Sequence, residues 1–153
     1  MSHDIDQLKA KARRSWEEII PSGDPTALRD VMHADCVDHS ARPGEPHGIE
    51  GVTRTMRWLH SVFSDLTFEI HHVIGEGETV AVHCTLRGRH TGELMGIPPT
   101  DRPVATPMVH ILRFREGKAA EHWAVHDDMA TMRQIGVLPA PPHHVPAGAS
   151  ASR

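Results

Sequence analysis

Between Met108 and Gly136 the chain reads MVHILRFREGKAAEHWAVHDDMATMRQIG, and this stretch constrains the fold more than any other. Met108–Arg115 and Lys118–Asp127 alternate in polarity on either side of Glu116-Gly117, the pattern of a hairpin. From Asp128 to Ile135 the apolar spacing becomes helical, and Gly136 supplies the stop. Side chains along a strand alternate between faces, so Met108, His110, Leu112 and Phe114 share one side. By the same rule Glu121, Trp123, Val125 and Asp127 share one side of the next strand. A carboxylate, Asp127, and a histidine, His110, are thus expected to meet among apolar neighbours.

Upstream, Ile5, Leu8, Ala12, Trp16 and Ile19 recur at helical spacing, with Asp4 as the cap and Pro21-Ser22-Gly23 as the stop. Asp24-Pro25 opens a short second helix with Leu28, Val31 and Met32 inward, closed by His33 and Asp35. Cys36–Ser40 reads as a short extended piece, and Ala41–His47, with two prolines and a glycine, as a loop at a pocket rim. Ile49, Val52, Met56, Leu59 and Phe63 line one face of a third helix. The period then drops to two: Leu66, Phe68, Ile70, His72 and Ile74 alternate with Thr67, Glu69, His71 and Val73. Gly75–Glu78 is a turn, Thr79–Arg89 a second strand, and His90–Pro103 a long connection into the hairpin. Three helices followed by strands predict an α+β domain, the helices stacked on a strongly bent sheet.

With 153 residues and 39% hydrophobic content, there is room for one core and one domain, expected to span 1–138. The remainder, 139–153, is rich in Pro, Ala and Ser and reads as a disordered tail. A net charge of −4 without a basic, aromatic-interleaved stripe argues against a nucleic-acid partner. No stretch is long and apolar enough for a bilayer span, and Ser2-His3-Asp4 leads straight into the first helix rather than a secretory signal, so a cytoplasmic location and no membrane partner are expected. Cys36 and Cys84 lie in no metal or redox spacing and read as small buried residues.

Two readings of Asp127 compete: a pocket carboxylate whose pKa is raised by Trp123 and Phe114, able to take and return a proton, or a cap for the following helix. Both hold together if Asp128 caps while Asp127 points inward. His110 is either a polarising group beside that acid or a core histidine held by one hydrogen bond. His39, just before the rim loop, is a similar case. Trp123 and Phe114 either stack on a flat ring system or belong to the core. Among fourteen histidines, His122 and His126 share a strand face about 13 Å apart, too far for one metal. His71 and His72 point to opposite faces, His143-His144 lies in the tail, and nothing local joins His39, His83 and His110. Neither metal nor cofactor is expected, since no phosphate loop, nucleophile elbow or dinucleotide fingerprint occurs.

The string GRHTGELMGIPPTDRPV at 88–104, followed by His110, Arg113, Gly117-Lys118, Glu121-His122-Trp123, Asp127 and Gln134-Ile135-Gly136, resembles the SnoaL-like polyketide cyclase family. Val37-Asp38-His39 and Gly48-Ile49-Glu50-Gly51-Val52 extend the resemblance over 2–138. It implies the cone-shaped α+β roll of nuclear transport factor 2-like proteins, with three N-terminal helices on a curved, mainly antiparallel sheet around a pocket. It further implies a cofactor-free enzyme that closes a ring by intramolecular aldol condensation of an aromatic polyketide, with Asp127 as acid/base and His110 in the pocket. The lining would come from His39, Phe63, Leu94, Met108, Leu112, Phe114 and Trp123, with Leu94 over the mouth. Assembly as a dimer or tetramer through the outer face of the sheet is implied too, with Val109, Ile111 and Ala124 as apolar outward positions. Two positions depart from the family word: Asp101 stands where glycine is usual, and His126 precedes the acid and should face away from the pocket. The chain has no tyrosine, which removes the tyrosine oxyanion donors of related steroid-isomerase-like sites. A non-catalytic binding protein using the same pocket, or hydration, epoxide opening or hydroxylation there, are the alternatives.

Overall fold

Asp4 starts the first helix by accepting a hydrogen bond from the Asp6 backbone N–H, and α1 (Ile5–Arg14) buries Leu8 and Ala12 as their spacing predicts. The computed structural model, which describes residues 4–142, then widens the helix into a π-helical segment, Ser15–Ile19. The Ile20 N–H there reaches the carbonyl of Ser15 five residues back, and the Ser15 hydroxyl bonds the Lys11 carbonyl. The widened turn carries Trp16, which is buried. A final turn, α2 (Ile20–Ser22), ends at Gly23 in the left-handed conformation that the sequence signal called for.

Asp24 and Pro25 begin a 3-10 turn, Pro25–Ala27, continuous with α3 (Leu28–Val31). The helix stops at Val31 rather than at His33 and Asp35. Met32 is already extended and opens β1 (Met32–Asp38), because this segment pairs in parallel with the last strand, Val37 opposite Glu121 and Asp38 opposite His122. After the rim loop, α4 (Gly48–Val62) buries Met56, Leu59 and Val62, and Phe63 becomes the first residue of β2 (Phe63–Glu76).

The sheet is open, five-stranded and ordered β1-β5-β4-β3-β2 with β3 (Thr79–His90), β4 (Pro103–Arg115) and β5 (Lys118–His126). Only the β1–β5 pair is parallel, so the expected α+β roll on a mainly antiparallel sheet is the observed architecture. One core cluster joins Leu8, Trp16 and Ile19 to Val80, Val82, Leu86, Met108, Leu112 and Phe114.

Three register details depart from simple alternation. In β2 a bulge lies between Ile70 and His72, so Val73 turns inward and Ile74 outward, the reverse of the expected phase. β4 begins at Pro103 rather than Met108 because it pairs with β3 from Arg89 onward. Pro107 is tolerated there since β5 ends at His126, opposite Met108, leaving that side of β4 without a strand partner. In the hairpin a bulge between Arg113 and Phe114 sets the phase of β5: Leu112 faces His122, His110 faces Ala124 and Met108 faces His126. Trp123 and Val125 pair with Ile111 and Val109 on the opposite face. The expected inward set of β5 is thus the outward one. Of the expected tail, 143–153 lies outside the described residues, as does the His143-His144 pair.

Candidate active site

The strands bring together on the concave face a hydrogen-bonded row of three side chains. Asp38, at the end of β1, accepts from His122 Nδ1 at 3.1 Å, and His122 Nε2 stands 3.0 Å from His110 Nδ1. The β1–β5 and β4–β5 registers place these residues side by side. Asp38 Oδ1 also accepts from the Ser40 backbone N–H at 2.9 Å, which holds the carboxylate in a turn at the strand end. Its own backbone N–H donates to His47 Nδ1 at 3.0 Å. The row runs from half-exposed to buried: Asp38 is 31% and His122 21% exposed at the side chain, and His110 only 6% overall.

The inner end is apolar and lacks a partner. His110 packs against Trp16 with ring centroids 4.4 Å apart, and the π-helical turn is what brings that indole to the sheet. His110 Nε2 is buried with no hydrogen-bond partner among the described residues. A buried polar atom left unpaired costs free energy, and the buried His90 Nε2 shares this state. Burial pushes the His110 pKa well below its ordinary value, and the neighbouring His122 and His126 push it the same way. Burial works to raise the Asp38 pKa, but the bonds from His122 and the Ser40 N–H outweigh it and hold the carboxyl below the usual range.

His126 faces inward, not away: it pairs with Met108, its ring lies 5.5 Å from that of His110, and burial lowers its pKa. Asp127 leaves the strand and caps α5 (Asp128–Gln134), its Oδ1 accepting from the Ala130 N–H at 3.0 Å. Asp128 is the first helical residue, so the expected division between the two acids is reversed. Asp127 is exposed, because the cap holds it at the helix entrance rather than on the strand face. Its other carboxylate oxygen makes no bond among the described residues. Asp127, His126 and Met108 border an open groove of about 380 Å³, also lined by Pro107, Val109, Val125 and His83. His126 and Met108 therefore touch both this groove and the buried site.

Of the expected lining, Phe63, Leu94, Met108, Leu112 and Phe114 are all buried in the core cluster. Trp123 and His39 are not there. They stack on each other on the outer face, centroids 4.6 Å apart, and His39 bonds Glu121, which also holds Arg113. Ala124, expected outward, pairs with His110 on the concave face. The bulge in β2 places His71 and His72 both against His83, not on opposite faces. No group of three or more metal-ligating side chains suited to a metal ion occurs among the described residues. The reading from sequence missed Asp38 and His122 as site residues. Both stand in the middle of motif words it had singled out, Val37-Asp38-His39 and Glu121-His122-Trp123, but the parity of β5 was misassigned.

A sequence profile of the SnoaL-like polyketide cyclases matches residues 10–135. The chain belongs to the SnoaL-like polyketide cyclase family. It is 30% identical over 108 residues to nogalonic acid methyl ester cyclase of Streptomyces nogalater, covering 70% of this chain and 78% of that one. With aklanonic acid methyl ester cyclase AcmA of Streptomyces galilaeus it shares 32% over 131 residues, covering 82% and 88%. The crystal structure of IdmH from Streptomyces antibioticus superposes with a TM-score of 0.75 at 32% identity, covering 86% of this chain and 99% of that one. The SnoaL-like word Gln134-Ile135-Gly136 has a structural explanation here. The Gln134 amide accepts from Ala105 N–H at 2.6 Å and donates to Ala105 carbonyl at 2.9 Å, tying α5 to the start of β4. Asp101, the residue at the usual glycine, adopts φ 58, the left-handed region that glycine enters freely.

Proposed function

We propose that this polyketide cyclase-like enzyme closes a carbocycle by intramolecular aldol condensation within an aromatic polyketide methyl ester, using side chains alone. The observation that carries the reading is its likeness along most of the chain to relatives named as nogalonic and aklanonic acid methyl ester cyclases. A flat, largely apolar substrate suits a site built from Trp16, Met108, Leu112 and Phe114 with only a few polar groups.

In this scheme the Asp127 oxygen not engaged with Ala130 removes a proton from the methylene flanked by carbonyls. The enolate carbon attacks a ketone of the same molecule, a carbon–carbon bond forms, and the ketone oxygen becomes an alkoxide that is then protonated. The two carbonyls delocalise the enolate, so the protein supplies base, shape and a hydrogen bond from His110 to the acceptor oxygen. The product is an isomer of the substrate.

A cytoplasmic location belongs to this reading and is supported by Cys36 and Cys84, both free and buried; no described helix is long and apolar enough to cross a membrane. A homo-oligomer joined through the outer face of the sheet would cover Ile74, Val109, Ile111, Trp123 and Val125, all exposed in the single chain. Replacing His110 with alanine and assaying conversion of an aromatic polyketide methyl ester tests the pocket. Loss of turnover with an intact fold is expected, and unchanged turnover would remove the concave face from the reaction.

A further inference from the structure

We infer that Asp38, His122 and His110 form a proton relay, running from the protein surface to the buried Nε2 of His110, that delivers the proton to the alkoxide formed on ring closure. The chemistry at the inner end rests on the cyclase reading; the wiring of the protons rests on the geometry alone.

An ionised carboxylate can only accept, so the 3.1 Å contact with Asp38 fixes a proton on His122 Nδ1. The 3.0 Å contact between His122 Nε2 and His110 Nδ1 holds a single proton. When His122 is neutral, that proton belongs to His110 and His110 Nε2 carries a lone pair. When His122 takes up a second proton, His110 Nδ1 becomes the acceptor and Nε2 presents an N–H. The protonation state of a half-exposed residue thus sets whether a buried one accepts or donates.

This arrangement solves a problem of burial. A lone imidazole at position 110 would be a poor proton donor, since the desolvation that surrounds it disfavours its charged form. In the relay the positive charge resides on His122, beside the Asp38 carboxylate and within reach of water. As the acceptor ketone becomes an alkoxide, His110 Nε2–H gives its proton to that oxygen and His110 Nδ1 takes the proton from His122 Nε2. Both rings end neutral. The cycle closes when the proton that Asp127 removed from carbon passes through pocket water to His110 Nε2 and the His110 Nδ1 proton returns to His122 Nε2, leaving no net change in the protein.

A purely structural row of histidines would have no use for the unpaired Nε2 at its inner end. The relay gives that atom a ligand, the oxygen of the substrate. Trp16, packed at a 38° tilt against His110, holds the inner ring without competing for either nitrogen.

The titratable groups around His122 are Asp38 from β1, His110 from β4 and His126 from its own strand, with His47 from the rim loop bonded to the Asp38 backbone. Because donation needs doubly protonated His122, the rate should carry a basic limb, with kcat falling toward high pH. Asp38→Asn removes the carboxylate that favours the imidazolium while keeping the shape. It should move this basic limb at least about one pH unit lower. His122→Gly should lower kcat on the order of 10²-fold, and millimolar imidazole, entering the space left by the partly exposed ring, should restore part of the rate. An unmoved limb in Asp38→Asn together with no imidazole rescue in a folded His122→Gly protein would overturn the relay. If the wild type converts no polyketide ester, the cyclase reading fails, and ring nitrogen-15 shifts judge the relay independently. Those of His110 must respond to Asp38→Asn, and shifts identical to wild type would sink it.

Discussion

His122 and Trp123 are neighbours in β5, yet they enter opposite environments. On the concave face, His110 and His122 pack against Trp16, His126 lies against His110, and Asp38 bonds His122, with His110 Nε2 unpaired among the described residues. On the convex face, His39, Glu121, Arg113 and Trp123 form a satisfied, solvent-facing cluster of stacking and ion pairing. The residue types overlap; burial and unmet hydrogen bonding separate the candidate site from a surface patch. Surface ion pairs are worth little, whereas an unpaired polar atom in the core is kept only at a cost.

The comparison breaks most visibly in activity. His110→Ala should lower kcat by about 10²- to 10⁴-fold, while Trp123→Ala, on the other face, should leave it within about threefold. Equal losses from both would erase the distinction between faces. In stability, Phe114→Ala on the concave side should cost about 3–5 kcal/mol by chemical denaturation, and Val125→Ala, at 75% exposure, within about 0.5 kcal/mol.

Acid titration sharpens the same contrast. The folded-state pKa of His110 is depressed, so between that value and the ordinary one near 6.5 the unfolded chain binds the extra proton and the native state does not. Stability is therefore full above about pH 6.5 and falls as pH drops toward the folded-state pKa, by up to about 1.4 kcal/mol per unit for this one group. Melting temperature followed against pH should lose part of that slope in His110→Phe, and an unchanged slope would remove His110 from it. Smaller still, Asp101→Gly should raise stability by up to about 1 kcal/mol, because glycine relieves the left-handed backbone at φ 58. On the convex side, if the proposed homo-oligomer forms there, Ile111→Glu should reduce the sedimenting mass to that of one chain; an unchanged assembly, or a wild type already at the mass of one chain, would contradict that interface.

Much of the fold was legible because its signals are local. The Asp4 cap, the Gly23 stop, the apolar face of α4, and the inward set Met108, His110, Leu112 and Phe114 follow from spacing alone. What was not legible depends on pairing between distant segments. The start of β1 at Met32 needs β5 beside it, and the inward turn of Val73 needs the bulge against β3. The phase of β5 was misread for a physical reason: tryptophan and valine look like core, and histidines like surface. Here the histidines go inward because Asp38 and each other supply their hydrogen bonds. Asp127 showed both of its possible roles in sequence, and the cap is the one with a visible bond.

That dual role makes one substitution especially informative. Asparagine caps helices as well as aspartate, so Asp127→Asn removes the proposed base while sparing α5. Wild type and this variant would be incubated with an aromatic polyketide methyl ester bearing an uncyclised side chain, and the product followed by chromatography and absorbance at constant mass. Conversion to a cyclised isomer by the wild type is expected, with a loss of about 10²-fold or more in the variant and binding retained. Undiminished turnover by Asp127→Asn, or an inert wild type that binds the ester unchanged, would contradict the mechanism.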